Sequence, residues 1–225
     1  MGKRLVQGLL VFGLMAAATY ASFFVAPDER TMGTIYRIFY FHAACGWVMF
    51  TAFFICFCAN IGYVISRRTN WDAMAVSAAE VGLAFNTVVL ITGPIWAHPV
   101  WGIWWTWDAR LTSTFVLWLL YISYLVLRTL IEELDRRALL SSIFGIFAFL
   151  DVPLVYGSIR WWRTQHPQPV IMGSPGSGLE PTMLKVFFFS VLAMHALMFL
   201  LISVRYELEK MRGEVETIKR ELETA

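Results

Sequence analysis

Residues Trp101-Gly102-Ile103-Trp104-Trp105-Thr106-Trp107-Asp108-Ala109-Arg110-Leu111-Thr112-Ser113 decide how the chain reads. Four tryptophans fall within seven positions, and an acid and a base follow at once. Indole is costly to leave in water. It settles where one edge is apolar and the other wet. Apolar segments of spanning length flank the run on both sides. The stretch therefore reads as a shelf at a membrane face, built to receive something flat and apolar.

Composition agrees. Of 225 residues, 58% are hydrophobic and 15% charged, with a mean hydropathy of +0.62. A soluble domain does not need so apolar a chain. The net charge of +2 is too small to argue for nucleic acid. A span takes roughly 20 apolar residues, and the sequence predicts six, at 5–25, 40–65, 74–96, 111–129, 139–157 and 183–204. Lys3 and Arg4 precede the first apolar run as in a signal peptide. That run exceeds the ~7–15 residues of a secretory core, so it reads as an uncleaved span.

The expected fold class is an all-α integral membrane protein, a six-helix transmembrane bundle with both termini cytoplasmic and a C-terminal amphipathic helix. Orientation follows from lysine and arginine bias. With the termini inside, twelve basic residues fall on the cytoplasmic side and six outside. Without the last four tail charges the count is eight against six. Loops 26–39, 97–110 and 158–182 then face outward. Residues 1–204 form one transmembrane unit carrying the tryptophan loop 97–110, and 205–225 form a cytoplasmic helical tail. In the tail, Leu208, Met211, Val215, Ile218 and Leu222 repeat at spacings of three and four. Such a stripe leans on a partner or on its own copy, or ends the chain as a solvated amphipathic helix.

Chemistry-bearing residues are few. Cys45, Cys56 and Cys58 share one apolar segment without a CxxC and read as small fillers. His42 opens span two, His98 precedes the tryptophan run, His166 lies in the loop before span six, and His195 sits midway along that span. Singly, each reads equally well as a hydrogen-bonded interfacial group. Together, three imidazoles gather on the outer face beside the shelf. An iron macrocycle would need this set. Imidazole nitrogens ligate the metal from opposite faces, aromatic planes cover the ring, and guanidiniums pair with its propionates. His42 and His166 supply the first and the tryptophans the second. Arg110, Arg37, Arg160 and Arg163 supply the third.

The run Trp-Gly-x-Trp-Trp-x-Trp-Asp-Ala-Arg-Leu-Thr-Ser resembles the tryptophan-rich signature of the haem-handling family of cytochrome c maturation, and in detail the CcmC type. Tyr40-Phe41-His42 at the head of span two matches the family's Tyr-x-His context. Trp161-Trp162-Arg163-Thr164-Gln165-His166 matches its loop before span six. The likeness covers nearly the whole length. It implies a protein that holds haem b at the periplasmic face of the bacterial inner membrane and hands it to the haem chaperone CcmE. It would work with the ABC-type subunits CcmA, CcmB and CcmD, and perform little chemistry itself. Carried onto this chain, the metal ligands are His42 and His166. The cofactor-binding set is Trp101, Trp104, Trp105, Trp107, Asp108, Arg110, Trp161 and Trp162. Asp108 would fix the loop through backbone amides or Arg110.

His98 departs from the family pattern, as a competing ligand or a headgroup-facing residue. Glu80, Asp151 and His195 are ionisable groups inside spans, which usually pair or face the bundle interior. An Asp151–His195 contact would pin spans five and six. The alternative function is a cytochrome c haem lyase that attaches haem directly to an apocytochrome. Six spans without an extra outer domain argue against it. A bilayer electron carrier needs paired histidines at membrane depth, where only His195 lies. No polar path suggests a channel.

Overall fold

The computed structural model describes residues 2–166, 171 and 178–224. The expected loop 158–182 therefore lies partly outside the described residues. Helix α1 (Gly2–Tyr20) ends in a π-helical turn, Ala21–Val25, and a 3-10 turn, Thr34–Ile38, leads into α2 (Phe39–Ser66). Then come α3 (Thr69–Trp101), α4 (Ala109–Thr129), α5 (Leu134–Phe149), α6 (Asp151–Trp161) and α7 (Pro181–Thr224). No strand occurs among the described residues. Six helical segments are long and apolar enough to cross a membrane, with α5 and α6 together forming the fifth. The chain is a multi-pass membrane protein.

Two boundaries differ from the sequence expectation. Helix α3 runs on through Pro94 and Pro99 to Trp101, so the tryptophan loop shrinks to 102–108. Proline removes an i→i−4 bond and usually ends a helix. Here it costs only the donors to Leu90 and Ile95, and the turn closes instead on Gly102, at φ 72°, whose N–H bonds the His98 carbonyl. Helix α6 continues to Trp161. The tail extends span six as a helix, since α7 continues unbroken for 44 residues.

Close packing sits where small residues let helices approach. A Cβ on Gly82 of α3 would lie 2.6 Å from the Phe53 ring of α2. Phe53 in turn stacks on Tyr121 of α4, with centroids 3.7 Å apart. A Cβ on Gly145 of α5 would lie 2.3 Å from the Asn60 amide. Helix α1 packs against α7 and turns Leu5, Leu9 and Phe12 outward, as a lipid-facing helix should.

Of the acids placed inside spans, Glu80 is paired and Asp151 is not joined to His195. Glu80 pairs with Arg205, at 2.8 Å to Nη2. His195 contacts the Val191 carbonyl through Nδ1 (2.8 Å) and Thr51 Oγ1 through Nε2 (3.1 Å). The expected Asp151–His195 contact is therefore not formed. Both imidazole nitrogens are occupied on α7 and α2, and Asp151 lies buried, its Oδ2 without a partner among the described residues. Cys45 and Cys56 are buried and Cys58 is exposed, all three as free thiols.

Candidate functional site

A cavity of about 1340 Å³ opens at one end of the bundle. It is larger than the roughly 300–1,000 Å³ usual for small-molecule sites. Its wall is assembled from distant parts of the chain: the 27–32 loop, the start of α2, the last turns of α3, Trp105 and Arg110, Tyr156 of α6, His166 and the start of α7. Of the residues marked in the sequence, His42, His166, Trp101, Trp105 and Arg110 line it together. Trp104, Trp107, Asp108, Trp161 and Trp162 do not.

His42 is held by a residue that the sequence did not single out. Its Nδ1 lies 2.8 Å from Thr92 Oγ1 on α3. The Thr92 hydroxyl has one proton, and it donates that proton to the Val88 carbonyl at 2.7 Å, the usual back-bond of a helical threonine. With that proton on Val88, Oγ1 accepts from Nδ1–H in the matching tautomer of His42. The Nε2 lone pair of the neutral imidazole is left for another atom. Trp96 packs edge-on against the same ring, with centroids 5.7 Å apart. No sequence signal marks Thr92, because a threonine in an apolar helix normally satisfies itself. Trp96 could have been found, as it extends the tryptophan cluster by one turn.

His166 and Arg110 lie within electrostatic range of His42. The His166 backbone N–H donates to Thr164 Oγ1 at 3.1 Å. Thr164 also stands close enough to Asp108 to lower its pKa, so the tryptophan loop and the histidine loop meet at this carboxylate. Asp108 is the N-cap of α4. It accepts from the backbone N–H of Arg110 (2.9 Å) and Leu111 (3.1 Å) and from the Thr106 hydroxyl (2.8 Å). Partial burial pushes its pKa up. The bonds from Thr106, Leu111, Thr164 and Arg110 outweigh that and hold it below the ordinary 3.8. A depressed carboxylate pKa stabilises the fold at pH above the unfolded value, and that stability is lost as pH falls through the folded value. The loop's anchorage is thus intact at neutral pH and fails only in strong acid.

A prediction separates Asp108 as a cap from Asp108 as a charge. Asparagine caps helices about as well as aspartate, whereas alanine costs about 1 kcal/mol. Asp108→Ala should lower the thermal midpoint and loosen the loop, seen as faster amide exchange at 102–111, while Asp108→Asn should stay near wild type in both. Equal damage from the two variants would show that the negative charge itself is needed.

The tryptophans divide between four settings. Trp101 and Trp105 face the cavity. Trp104 stacks on His98 at 4.2 Å, away from it, which accounts for the aberrant histidine as an aromatic partner. Trp107, 73% exposed, meets Trp105 edge-on and joins Phe115 and Trp118 along a second, smaller groove of about 390 Å³. Trp161 and Trp162 are exposed and edge-to-face at 5.8 Å, with Trp161 laid over Gly157. Arg110 donates to the Val155 carbonyl through Nη1, which joins α4 to α6 at the cavity wall. The indole N–H groups of Trp96 and Trp105 are buried without a partner among the described residues. Buried donors of this kind normally have one.

The sequence model of the family described as "CcmC: Heme exporter protein C" matches residues 3–221. The chain is 32% identical over 207 residues to "Heme exporter protein C" of Bradyrhizobium diazoefficiens, covering 92% of this chain and 74% of the relative. It is 31% identical over 189 residues to the Escherichia coli protein of the same description, covering 84% and 74%. A "Putative cytochrome c biosynthesis ccmC-like mitochondrial protein" of Marchantia polymorpha is 30% identical over 171 residues, covering 76% and 72%.

Proposed function

The chain belongs to the CcmC, heme exporter protein C, family, and on that premise we propose that it receives haem b as cargo in the cavity beside the tryptophan loop and passes it on during cytochrome c maturation. His42 and His166 would be the axial ligands. Trp101 and Trp105 would cover the ring, and Arg110 would pair with a propionate. The recipient would be the chaperone CcmE, with CcmA, CcmB and CcmD as complex partners. The cavity would face the periplasm from the inner membrane. The exposed indoles Trp104 and Trp107 and the pair Trp161–Trp162 stand at the same end of the bundle, where a docking chaperone would meet the cargo's edge.

The observation that carries this reading is that one cavity gathers two imidazoles from separate elements, four indoles and two guanidiniums. The donor set fits the cargo. Among the described residues no group of three or more His, Cys, Asp or Glu side chains converges to hold a metal ion. The two imidazoles suit iron that brings its other ligands in a porphyrin. The buried N–H groups of Trp96 and Trp105 suit carboxylate oxygens of the same molecule. Haem titration of the purified protein in lipid, read by oxidised and reduced absorption spectra, tests the assignment. A six-coordinate low-spin spectrum at one equivalent is expected. Folded protein that stays colourless would remove it.

Thr92 gives a finer test. Partners of a ligating imidazole's second nitrogen typically contribute 10–100-fold to metal affinity. Thr92→Val should therefore weaken haem binding by roughly tenfold, with Thr92→Ser restoring it. A valine variant with unchanged affinity and spectrum would show that His42 is oriented by packing alone.

A further inference from the structure

The apolar stripe of the tail is longer in the structure than the tail itself. Leu201 and Val204, 41% and 40% exposed, precede Leu208, Met211, Val215, Ile218 and Leu222, 50–74% exposed. The spacing alternates three and four throughout. It covers a little over three heptads on a single unbroken helix, the length at which heptad spacing becomes a coiled-coil signal. The first two positions lie in the apolar span. Arg205 and the charged residues after it put the rest in water, where half-exposed leucine, valine and isoleucine have no lipid to face.

The helix's own bundle does not cover this stripe. The internal contacts lie on its two flanks: Glu209 lies against Arg128 and Arg205, Glu216 bonds Arg137 at 3.2 Å, and Glu207 pairs with Arg4 of α1. Those positions sit about 100° round from Leu208 and Val215, so the stripe is turned away from the bundle.

With Leu208, Val215 and Leu222 at a and Met211 and Ile218 at d, the flanking charges are ordered. The g positions carry Glu207 and Glu214, and the e positions carry Arg212 and Lys219. Parallel helices in register pair g with the e′ position five residues on. Glu214 then meets Lys219 of a second copy, while Glu207 and Arg212, which pair with Arg4 and Glu216 of their own chain, hold the same acid-to-base order one heptad earlier. Antiparallel helices would set g against g′ and e against e′, acid on acid and base on base. Two copies in one membrane share an orientation, so their tails emerge parallel, and confinement raises their effective concentration.

From this charge order and the uncovered stripe we infer that α7 pairs with α7 of a second copy of this chain as a parallel two-stranded coiled coil beyond the membrane. The inference does not depend on the bound cargo.

The test uses the full chain with Cys58→Ser, in native membranes and in lipid vesicles after purification. Oxidation of Val215→Cys, at an a position, should convert most of the protein to a disulfide-linked dimer, while Thr217→Cys, at an exposed c position, should stay monomeric. Adding Glu214→Lys should cut the Val215→Cys dimer at least about fivefold by setting like charges opposite. The exchange Glu214→Lys with Lys219→Glu should restore it. A Val215→Cys monomer whose introduced thiol remains fully open to maleimide overturns the inference. So does a dimer yield indifferent to the charge variants, and so does an adduct with a different protein, which would assign the stripe to a foreign helix.

Discussion

Replacing either His42 or His166 by alanine is expected to abolish the six-coordinate low-spin haem spectrum and to leave a five-coordinate or high-spin species. Loss of a ligand should exceed the 10–100-fold that outer-shell partners contribute, so retention through purification should fall by at least about a hundredfold. The two variants should not look alike. His42 is fixed by Thr92, by the edge of Trp96 and by the rigid packing of α2 on α3. His166 stands on a loop held by Thr164 and Asp108. Added imidazole should rescue the alanine variant at 166 more readily, because its site is approached through the loop. Circular dichroism should be unchanged, as neither side chain is in the packed core. Both variants keeping the wild-type spectrum would remove the ligand assignment while leaving the cavity in place.

The second large effect lies at the opposite end of the bundle. Arg128 of α4, 7% exposed, donates to both oxygens of Asp72 of α3, at 2.5 and 2.8 Å. Glu209 of α7 stands 3.9 Å away. Three helices thus meet on one buried guanidinium. Removing one partner of a buried pair leaves an uncompensated charge and costs about 3–5 kcal/mol. Asp72→Ala should lower the thermal midpoint in detergent markedly and reduce yield. The paired change Asp72→Leu with Arg128→Met removes both charges and should recover much of the loss, because the desolvation cost goes with them. Arg205–Glu80 is more open to solvent, and the corresponding Glu80→Ala should cost much less. A mild Asp72→Ala would mean that Glu209 alone neutralises Arg128.

The exposed indoles bear on how the site works. A compact shelf of four tryptophans is what their crowding in sequence suggests. In the fold, two line the cavity and two look elsewhere. Such a division suits a protein that must release what it binds, with some indoles covering the cargo and others left open for a partner.

Six spans, their order and the membrane-face position of the tryptophan run were determined by the sequence itself. Hydropathy and interfacial preference are sums over neighbouring residues and need no knowledge of the fold. The helix end at Trp101 escapes such a local reading, because the penalty of Pro94 and Pro99 inside α3 is offset by a turn that closes beyond them. Which imidazoles share a cavity, that Thr92 holds His42, that Asp151 misses His195, and that Asp108 and Thr164 bring two loops together were decided only by tertiary structure. Each depends on how far a helix is rotated about its axis. That rotation is set by close approach at glycines such as Gly82 and Gly145 and by buried pairs between helices distant in sequence, and no local window of sequence contains it.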